Sequence, residues 1–394
     1  MFPETYLALG KNRNMIRELF EYGLKRGREI GPENVYDFTL GNPSVLPPEA
    51  ALKKLADILA NEDPMKVFGY TSAPGDLAVL QQLSESLNSR FNAGCAPDRL
   101  YCTVGAAAAL AIALRAILLP GEECVVLAPY FPEYKVFIEA AGGVMRLVPA
   151  DTEAFQIPFD EFEKAIGEKT KAVILNSPNN PSGVICSPET LTKMAAILKA
   201  KESEYGHPIY LISDEPYREL VYTGQETPWL PDFYDDTVVC YSYSKSMSMP
   251  GARIGYIFTP PKLAEDREIY AAVCGAGRAM GYVNAPTIFQ RLIAACDGEV
   301  SDLSTYRTNR ALLLDGLREL GYTCVEPGGA FYLFPKALEP DDLAFCEKAK
   351  ALDLLIVPGT GFGCPGFFRI AYCVPTERVK RSLAAFRKLA ESYR

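Results

Sequence analysis

The sequence predicts an α/β protein with a large domain, built on a mostly parallel seven-stranded sheet flanked by helices, and a smaller α+β domain formed by the two termini. Between residues 98 and 260, short β-branched runs alternate with helix-like segments, which is the pattern of strands joined by crossover helices. After about residue 285 the pattern changes to long amphipathic helices. The 394 residues, 48% of them hydrophobic, are enough to bury the cores of two domains.

Seven short apolar runs are the predicted strands of the large sheet. Polar motifs lie at or just after the carboxyl ends of most of these runs, where open α/β sheets bind their ligands. We therefore expect one site assembled from several strand ends. The predicted strands are Leu100–Val104, Cys124–Ala128, Val144–Val148, Ala172–Asn176, Ile209–Ser213, Val238–Tyr241 and Gly255–Phe258.

The predicted smaller domain contains a helix at Thr308–Leu320, a hairpin-like segment at Gly328–Phe334 and a terminal helix from Pro375. The change of pattern alone marks where this domain begins. The predicted division is an N-terminal segment at 1–47 that packs with the small domain, a large domain at 48–285 and a small C-terminal domain at 286–394.

Composition and charge favour small-molecule chemistry in the cytoplasm. The formal net charge of −9 provides no basic surface for nucleic acid or an anionic membrane. Eleven cysteines without a CxxC pair indicate reduced thiols, and the single histidine, His207, predicts no metal site. We expect no signal peptide at residues 1–10, and we interpret Ala106–Leu119, which Arg115 interrupts, as a buried helix rather than a membrane span.

The segment 241–256 carries the clearest chemical signal. Lys245 follows an apolar strand amid serines, and Arg253 comes eight positions later (253 − 245 = 8). Such a lysine can form an imine with a carbonyl cofactor once nearby cations lower its pKa, and the serines and the arginine can bind a phosphate. A surface lysine in a polar turn is the alternative that S-x-S-K alone would favour.

The whole segment resembles the Schiff-base segment of fold-type-I pyridoxal-phosphate enzymes of the class I/II aminotransferase family, where S-x-S-K is followed by P-G-x-R-x-G-Y. Further segments resemble the family's motifs in the family's order, from about Phe38 to Tyr372. The resemblance implies that Lys245 holds pyridoxal 5'-phosphate as a Schiff base and moves the proton during transfer. It also makes 48–285 the cofactor-binding domain.

The resemblance assigns four residues to the cofactor ring. In I-S-D-E-P-Y, Asp214 is implied to pair with the pyridine nitrogen and Tyr217 to hydrogen-bond the phenolic oxygen. In N-S-P-N-N-P-S-G, which resembles the family's N-P-N-N-P-T-G, Asn180 is the implied second donor to that oxygen and also a substrate contact. Phe131, before the second proline of P-Y-F-P, is implied to stack on the ring. Without the resemblance, these segments pass as strand-end turns and core filler.

Phosphate contacts are implied at a strand, a glycine and a helix start. The backbone of Gly105, Ala106 and Ala107 offers free N–H groups there, and the two alanines shift the side-chain contacts to Ser242, Arg253 and the helper Ser244. The segment F-G-Y-T-S-A-P-G resembles the family's Y-x(4)-G. Tyr70 is thereby implied to reach the phosphate of a partner subunit's cofactor, which predicts a homodimer.

Substrate contacts are implied at two further segments. Arg369 lies between aromatic and aliphatic neighbours on an apparent strand, where a guanidinium is costly to bury without an anion and its fork matches a carboxylate. A structural ion pair is the alternative. The resemblance favours Arg369 as the clamp for the α-carboxylate, with the Gly41 backbone beside it.

The resemblance implies an aminotransferase that moves an amino group from an α-amino acid to a 2-keto acid. One alternative is a pyridoxal-phosphate carbon–sulfur β-lyase, which shares the lysine and the aspartate. The other is a non-catalytic, aminotransferase-like regulator, which the acidic chain disfavours because its first forty residues provide no basic helix-turn-helix.

Substrate choice is predicted from one absent cation. In a bacterial aspartate aminotransferase branch that the chain resembles, a lysine stands two residues after the glycine of the phosphate loop, and here that position is Ala107. A distal carboxylate would then lack a partner, so we expect weaker turnover of aspartate than of neutral or aromatic donors. Arg278, entering from either subunit, is the residue that could restore the pairing.

Overall fold

A computed structural model describes residues 2–11 and 14–394. The large sheet has seven strands in the order β2-β8-β7-β6-β5-β3-β4. All neighbours are parallel except β8, which runs antiparallel to both β2 and β7. The strands are β1 Tyr36–Asp37, β2 Leu100–Thr103, β3 Glu123–Leu127, β4 Val144–Val148, β5 Thr170–Asn176, β6 Tyr210–Asp214, β7 Thr237–Ser242, β8 Gly255–Phe258, β9 Tyr332–Leu333, β10 Leu354–Leu355, β11 Val357–Pro358 and β12 Phe368–Ala371. The predicted α/β class and its seven strands are confirmed, with ends that agree or differ by at most two residues.

Helices cover both faces of this sheet because alternate residues of each strand point in opposite directions. On β5, Ala172 and Ile174 belong to the core that contains α6, and Val173 and Leu175 belong to the core that contains α9. The helices are α1 Glu4–Lys11, α2 Met15–Ile30, α3 Glu49–Asn61, α4 Pro64–Phe68, α5 Leu77–Phe91, α6 Ala106–Ile117, α7 Glu133–Ala140, α8 Phe159–Ala165, α9 Pro188–Tyr205, α10 Tyr243–Ser246, α11 Asp266–Ala279, α12 Thr287–Cys296, α13 Ser304–Glu319, α14 Asp342–Lys350 and α15 Thr376–Glu391.

The helix α6 is largely buried, as its apolar sequence predicts, and begins directly after β2. It lies against the sheet with α7 and α11 packed beside it. Within the described ranges, no helix combines the length and the apolarity that crossing a membrane requires. The cysteines are unpaired, and all except Cys274 are buried.

A second core joins the two ends of the chain. The short strand β1 pairs in parallel with β10, and β12 lies between β11 and β9 in a three-stranded antiparallel sheet. Phe38 is fully buried beside Phe386 of α15, with their ring centroids 6.3 Å apart. Residues 36–38 thus pack with the C-terminal part of the chain. The helix α12, just beyond the proposed boundary at 286, packs instead against α3 and α5.

The hairpin predicted at Gly328–Phe334 does not form. Its strand β9 pairs with the distant β12, and Gly329 bridges Val221. A Cβ on Gly329 would lie 2.6 Å from the carbonyl oxygen of Leu220. The glycine therefore permits a close approach of two backbones, which in sequence is indistinguishable from a turn.

Replacing Phe38 tests the joining of the two ends. Phe38→Ala should lower the free energy of unfolding by about 3–5 kcal/mol, because it leaves a cavity beneath α15. The matched control is Phe2→Ala, since Phe2 is 76% exposed, and it should change that energy by less than about 0.5 kcal/mol. Urea unfolding of both variants provides the measurement, and equal effects would contradict the packing described.

Candidate active site

The carboxyl ends of β5, β6 and β7, the start of α6 and the strand β12 meet around one cavity of about 500 Å³. Gly105 directly precedes two of the lining residues. Tyr70 is 89% exposed and Arg278 lies on the exposed side of α11, and neither lines the cavity within the described chain. The residues singled out from the sequence that line it are Gly41, Ala106, Ala107, Phe131, Asn180, Asp214, Tyr217, Ser242, Ser244, Lys245, Arg253 and Arg369.

Lys245 lies on the short helix α10, which follows β7 without a break. The Ser242 hydroxyl accepts a hydrogen bond from the Ser244 backbone N–H at 3.2 Å and caps this helix. The Lys245 Nζ donates to the Gly41 carbonyl oxygen at 2.7 Å. Burial, together with the charges of Arg253 and Arg369, lowers the pKa of Lys245 to about 8. A much larger fraction of the amine is therefore neutral and nucleophilic at neutral pH than for an exposed lysine.

Asp214 ends β6 with one carboxylate oxygen paired and the other without a partner. The Tyr134 hydroxyl donates to Oδ2 at 2.5 Å, and the Asn176 amide donates to the Asp214 carbonyl oxygen at 2.9 Å. Oδ1 is buried and receives no hydrogen bond from the described residues. Burial raises the pKa of Asp214 to about 7, although the Tyr134 bond opposes the shift. A cation with an N–H group in the cavity would donate the hydrogen bond that Oδ1 lacks.

Four further polar or aromatic side chains surround the same space. The Tyr217 and Tyr332 hydroxyls are 2.8 Å apart. Asn180 is held by its backbone N–H, which donates to the Asn176 Oδ1 at 2.7 Å. Phe131 contacts the edge of the Tyr134 ring, with centroids 5.6 Å apart. The cavity therefore has an aromatic side, a carboxylate and hydroxyl and amide groups.

An anion cradle lies at the start of α6. Gly105 has a φ of +91° and turns the chain into the helix, whose first N–H groups face the cavity end of the strand. A Cβ on Gly105 would lie 2.6 Å from the Arg253 Nη2. Arg253 is held by the carbonyls of Val104 at 2.9 Å and Pro250 at 2.8 Å, and the Ser242 and Ser244 hydroxyls are 2.7 Å apart. This donor set fits a phosphate.

Arg369 is only 2% exposed, yet none of the described carboxylates lies within 4.0 Å of its guanidinium. Nη1 donates to the Asn180 Oδ1 at 3.0 Å, Nη2 donates to the Thr39 carbonyl, and Nε has no partner among these residues. Burial lowers its pKa. The structural ion pair that was the alternative is absent from this part of the chain, so the guanidinium is suited to an anion from solution.

Sequence reasoning missed several lining residues. Asn176 lines the cavity and begins the motif N-S-P-N-N-P-S-G, and Tyr134, which does not line the cavity, follows P-Y-F-P by two residues. Their contacts with Asp214 depend on how three segments meet. The start of α2 contributes a further part of the wall, to which no pattern in the sequence pointed. The missed residues from that helix and its cap are Asn14, Ile16, Arg17 and Phe20.

Known proteins match nearly the whole chain. The family model described as aminotransferase class I and II matches residues 33–386. The aspartate aminotransferase of Thermotoga maritima is 31% identical over 355 residues, which cover 89% of this chain and 90% of that protein. The aspartate/prephenate aminotransferase of Thermus thermophilus is also 31% identical, over 81% of this chain and 83% of that protein.

Solved structures agree with these matches. An aminotransferase from Eubacterium rectale superimposes with a TM-score of 0.98 at 50% identity, over 100% of this chain and 99% of that one. The aspartate aminotransferase of Thermus thermophilus with maleate gives a TM-score of 0.85 at 27% identity, over 99% of each chain.

Stability of the cofactor-free protein should depend on the protonation of Asp214. The pKa is raised from 3.8 to about 7, so the folded protein holds this proton more tightly than the unfolded chain does. The free energy of unfolding therefore falls as the pH rises through that interval. Asp214→Asn removes this loss, so its stability advantage should grow between pH 5 and pH 8 to as much as about 4 kcal/mol.

Thermal unfolding of the cofactor-free proteins at several pH values provides the measurement. The matched control is Asp232→Asn, because Asp232 is exposed, and it should change stability by less than about 0.5 kcal/mol. A difference between Asp214→Asn and the parent that stays constant from pH 5 to pH 8 would show that the carboxylate does not titrate in this interval.

Proposed function

The chain belongs to the class I and II aminotransferase family and transfers an amino group between amino acids and keto acids, and we propose that it does so in the cavity around Lys245 with pyridoxal phosphate as cofactor. One observation carries this assignment. A lysine of lowered pKa, a buried carboxylate oxygen without a partner and a buried guanidinium without a counterion all face the same space.

The residues fit the cofactor group by group. The anion cradle at Gly105, Ser242, Ser244 and Arg253 offers N–H, hydroxyl and guanidinium donors to a phosphate. The unpartnered Oδ1 of Asp214 suits a protonated ring nitrogen. When bound, pyridoxal phosphate withdraws electrons from the substrate's Cα through a protonated ring.

The remaining polar and aromatic residues would contact the face and the phenolic oxygen of the cofactor ring. Phe131 provides an apolar face beside it. Tyr217 and Asn180 direct a hydroxyl and an amide group toward the cavity, where they would donate to a phenolic oxygen. Tyr332 keeps the Tyr217 hydroxyl in place through their hydrogen bond of 2.8 Å.

The reaction needs one mobile base, and we assign that role to Lys245. In its neutral form, Nζ would accept the proton from the substrate's Cα and would then donate it to the cofactor carbon that carries the transferred amino group. The Gly41 carbonyl oxygen, 2.7 Å from Nζ, holds the amine at the cavity wall when it is free. His207, the only histidine, lies outside the lining of the cavity and has no part in this step.

Arg369 orients the substrate. Its unpartnered Nε and its buried fork suit an α-carboxylate, and Asn180, which accepts from Nη1 at 3.0 Å, fixes the plane of the guanidinium. The rings of Tyr332 and Phe362, whose centroids both lie 4.8 Å from the guanidinium carbon, keep water from its faces. Holding the carboxylate there presents Cα to the lysine.

We further propose a homodimer in which Tyr70 completes the partner's phosphate site. Large apolar side chains near it in the sequence are exposed, including Met65, Phe68 at 70% and Leu77 at 70%. Several exposed apolar side chains in one segment are typical of an interface. Tyr70 itself is 89% exposed in the single chain and is therefore available to a second copy.

Removing the base should abolish the reaction. Lys245→Ala should reduce turnover by at least about 1,000-fold, because no other neutral amine lines the cavity in the described chain. The measurement is the rate of amino transfer from a panel of amino acids to 2-oxoglutarate. The matched control is Lys380→Ala on α15, since Lys380 is exposed and does not line the cavity, and it should retain the parent rate. An unchanged rate in Lys245→Ala would exclude this mechanism.

Mixed dimers test the shared tyrosine. Tyr70→Phe and Lys245→Ala subunits, each weakly active or inactive alone, should form heterodimers with one native site and one doubly damaged site. After dissociation and random reassociation, activity should rise to about a quarter of the parent value per subunit. A mixture no more active than its two components, or a fully active monomer in sedimentation measurements, would refute the shared site.

A further inference from the structure

The start of α2 closes one side of the cavity. We call its lining residues Asn14, Ile16, Arg17 and Phe20 the α2 wall. The Asn14 Oδ1 accepts a hydrogen bond from the Arg17 backbone N–H at 3.2 Å and caps the helix. The Asn14 Nδ2 donates to the Glu133 Oε1 at 2.8 Å. This pair of bonds ties the first turn of α2 to the first turn of α7 across the mouth of the cavity.

The α2 wall lies apart from the groups assigned to the cofactor and to the α-carboxylate. Ring, phosphate and α-carboxylate contacts come from strand ends, from α6, from α10 and from β12. The remaining wall therefore faces the space left for the substrate's side chain. The two ionic groups on this side of the cavity are Arg17 of the α2 wall and Glu133 of α7.

The cations along the cavity can be accounted for one by one. In the described chain they are Arg17, Lys245, Arg253 and Arg369. Lys245 is the base, and Arg253 and Arg369 have the roles proposed above. The Arg17 guanidinium has no carboxylate within 4.0 Å among the described residues, and the hydrogen bonds of Arg17 to Asn14 come from its backbone N–H and not from its side chain. Arg17 is therefore the one of these four cations to which no role has been assigned.

We infer that Arg17 binds a second, side-chain carboxylate of the substrate and thereby makes acidic amino acids and dicarboxylic keto acids good substrates. This inference rests on the proposed function. Ala107 has no charge to offer, and Arg278 does not line the cavity in this chain. Ala107 led us to expect weak turnover of aspartate. Arg17 reverses that expectation, because it supplies the missing cation from a different helix that lines the same cavity.

Glu133 points to the rival interpretation, in which the pocket takes a cationic side chain. Its Oε1 already accepts the Asn14 amide at 2.8 Å, and its place in the first turn of α7 lets the helix dipole offset part of its charge. Arg17 is exposed, and its guanidinium has no comparable partner among the described residues. The unpaired charge on this side of the cavity is thus positive, which favours an anionic side chain.

The test uses the holoenzyme and measures the half-reaction with the amino donor alone. The change in absorbance of the cofactor reports the rate of this half-reaction. Without a keto acid, only the donor can carry the second carboxylate. Arg17→Gln should lower kcat/KM for glutamate and aspartate by roughly 10- to 100-fold and that for alanine and phenylalanine by less than about twofold. Arg17→Lys, which keeps the charge, should restore most of the difference.

A matched control removes the same charge from the same helix. Arg28 is exposed on α2 and does not line the cavity, so Arg28→Gln should leave the ratio of acidic to neutral donors unchanged. A second measurement is binding of succinate, a dicarboxylate without an amino group, which should weaken in Arg17→Gln by a factor similar to that in kcat/KM.

Three outcomes would overturn the inference alone. They are an active parent whose donor ratio is the same in Arg17→Gln, an equal loss for acidic and neutral donors, and a parent preference for lysine or ornithine that Glu133→Gln removes. A parent protein that converts no amino donor at all would overturn the proposed function, and the role of Arg17 with it.

Discussion

The register of three parallel strands sets the geometry on which the rest of the site depends. Asn176 at the end of β5 lies opposite Asp214 at the end of β6, and Asp214 lies opposite Cys240 of β7, two residues before the turn into α10. Backbone hydrogen bonds fix these alignments to within a fraction of a residue. The carboxylate and the lysine are therefore positioned by the sheet, and only the orientation of their side chains is left to local packing.

The site concentrates polar groups that folding alone would not favour. Among the residues that the structure describes, Arg369 is buried without a carboxylate partner and the Asp214 Oδ1 is buried without a donor, and the Lys245 amine is partly desolvated. Each of these costs free energy in the isolated chain, and each is relieved by a ligand of the complementary charge. The two apolar cores of the sheet contribute stability that offsets this free-energy cost, so the fold tolerates the buried polar groups.

How far the sequence predicts the molecule depends on whether the signal is local. Lys245, Asp214 and Arg369 stand next to strands whose apolar runs are visible in the sequence, so their shared edge follows from the α/β pattern and the resemblance of their motifs. Tyr134 reaches Asp214 across 80 residues, and nothing near Tyr134 in the sequence distinguishes it from a core tyrosine.

Arg17 was missed for a related reason. On an amphipathic helix an arginine is typical of the solvent face, and its place beside the cavity depends on the angle at which α2 enters. Gly329 misled in the opposite direction, because a glycine pair that signals a turn in sequence here admits a second backbone at close range. Both errors concern how segments distant in sequence pack against each other, and no local sequence pattern encodes that packing.

Residues 39–41 contact both functional cations, since the Thr39 carbonyl receives the Arg369 guanidinium and the Gly41 carbonyl receives the Lys245 amine. This segment and Arg369 of β12 lie more than 320 residues apart in sequence, because 369 − 41 = 328. On the same strand, the Ala371 backbone N–H donates to the Phe38 carbonyl oxygen at 2.9 Å, next to residues 39–41. A chain that lacks β12 would therefore carry Lys245 without the Arg369 charge that helps to lower its pKa and without the strand that holds residues 39–41 in place.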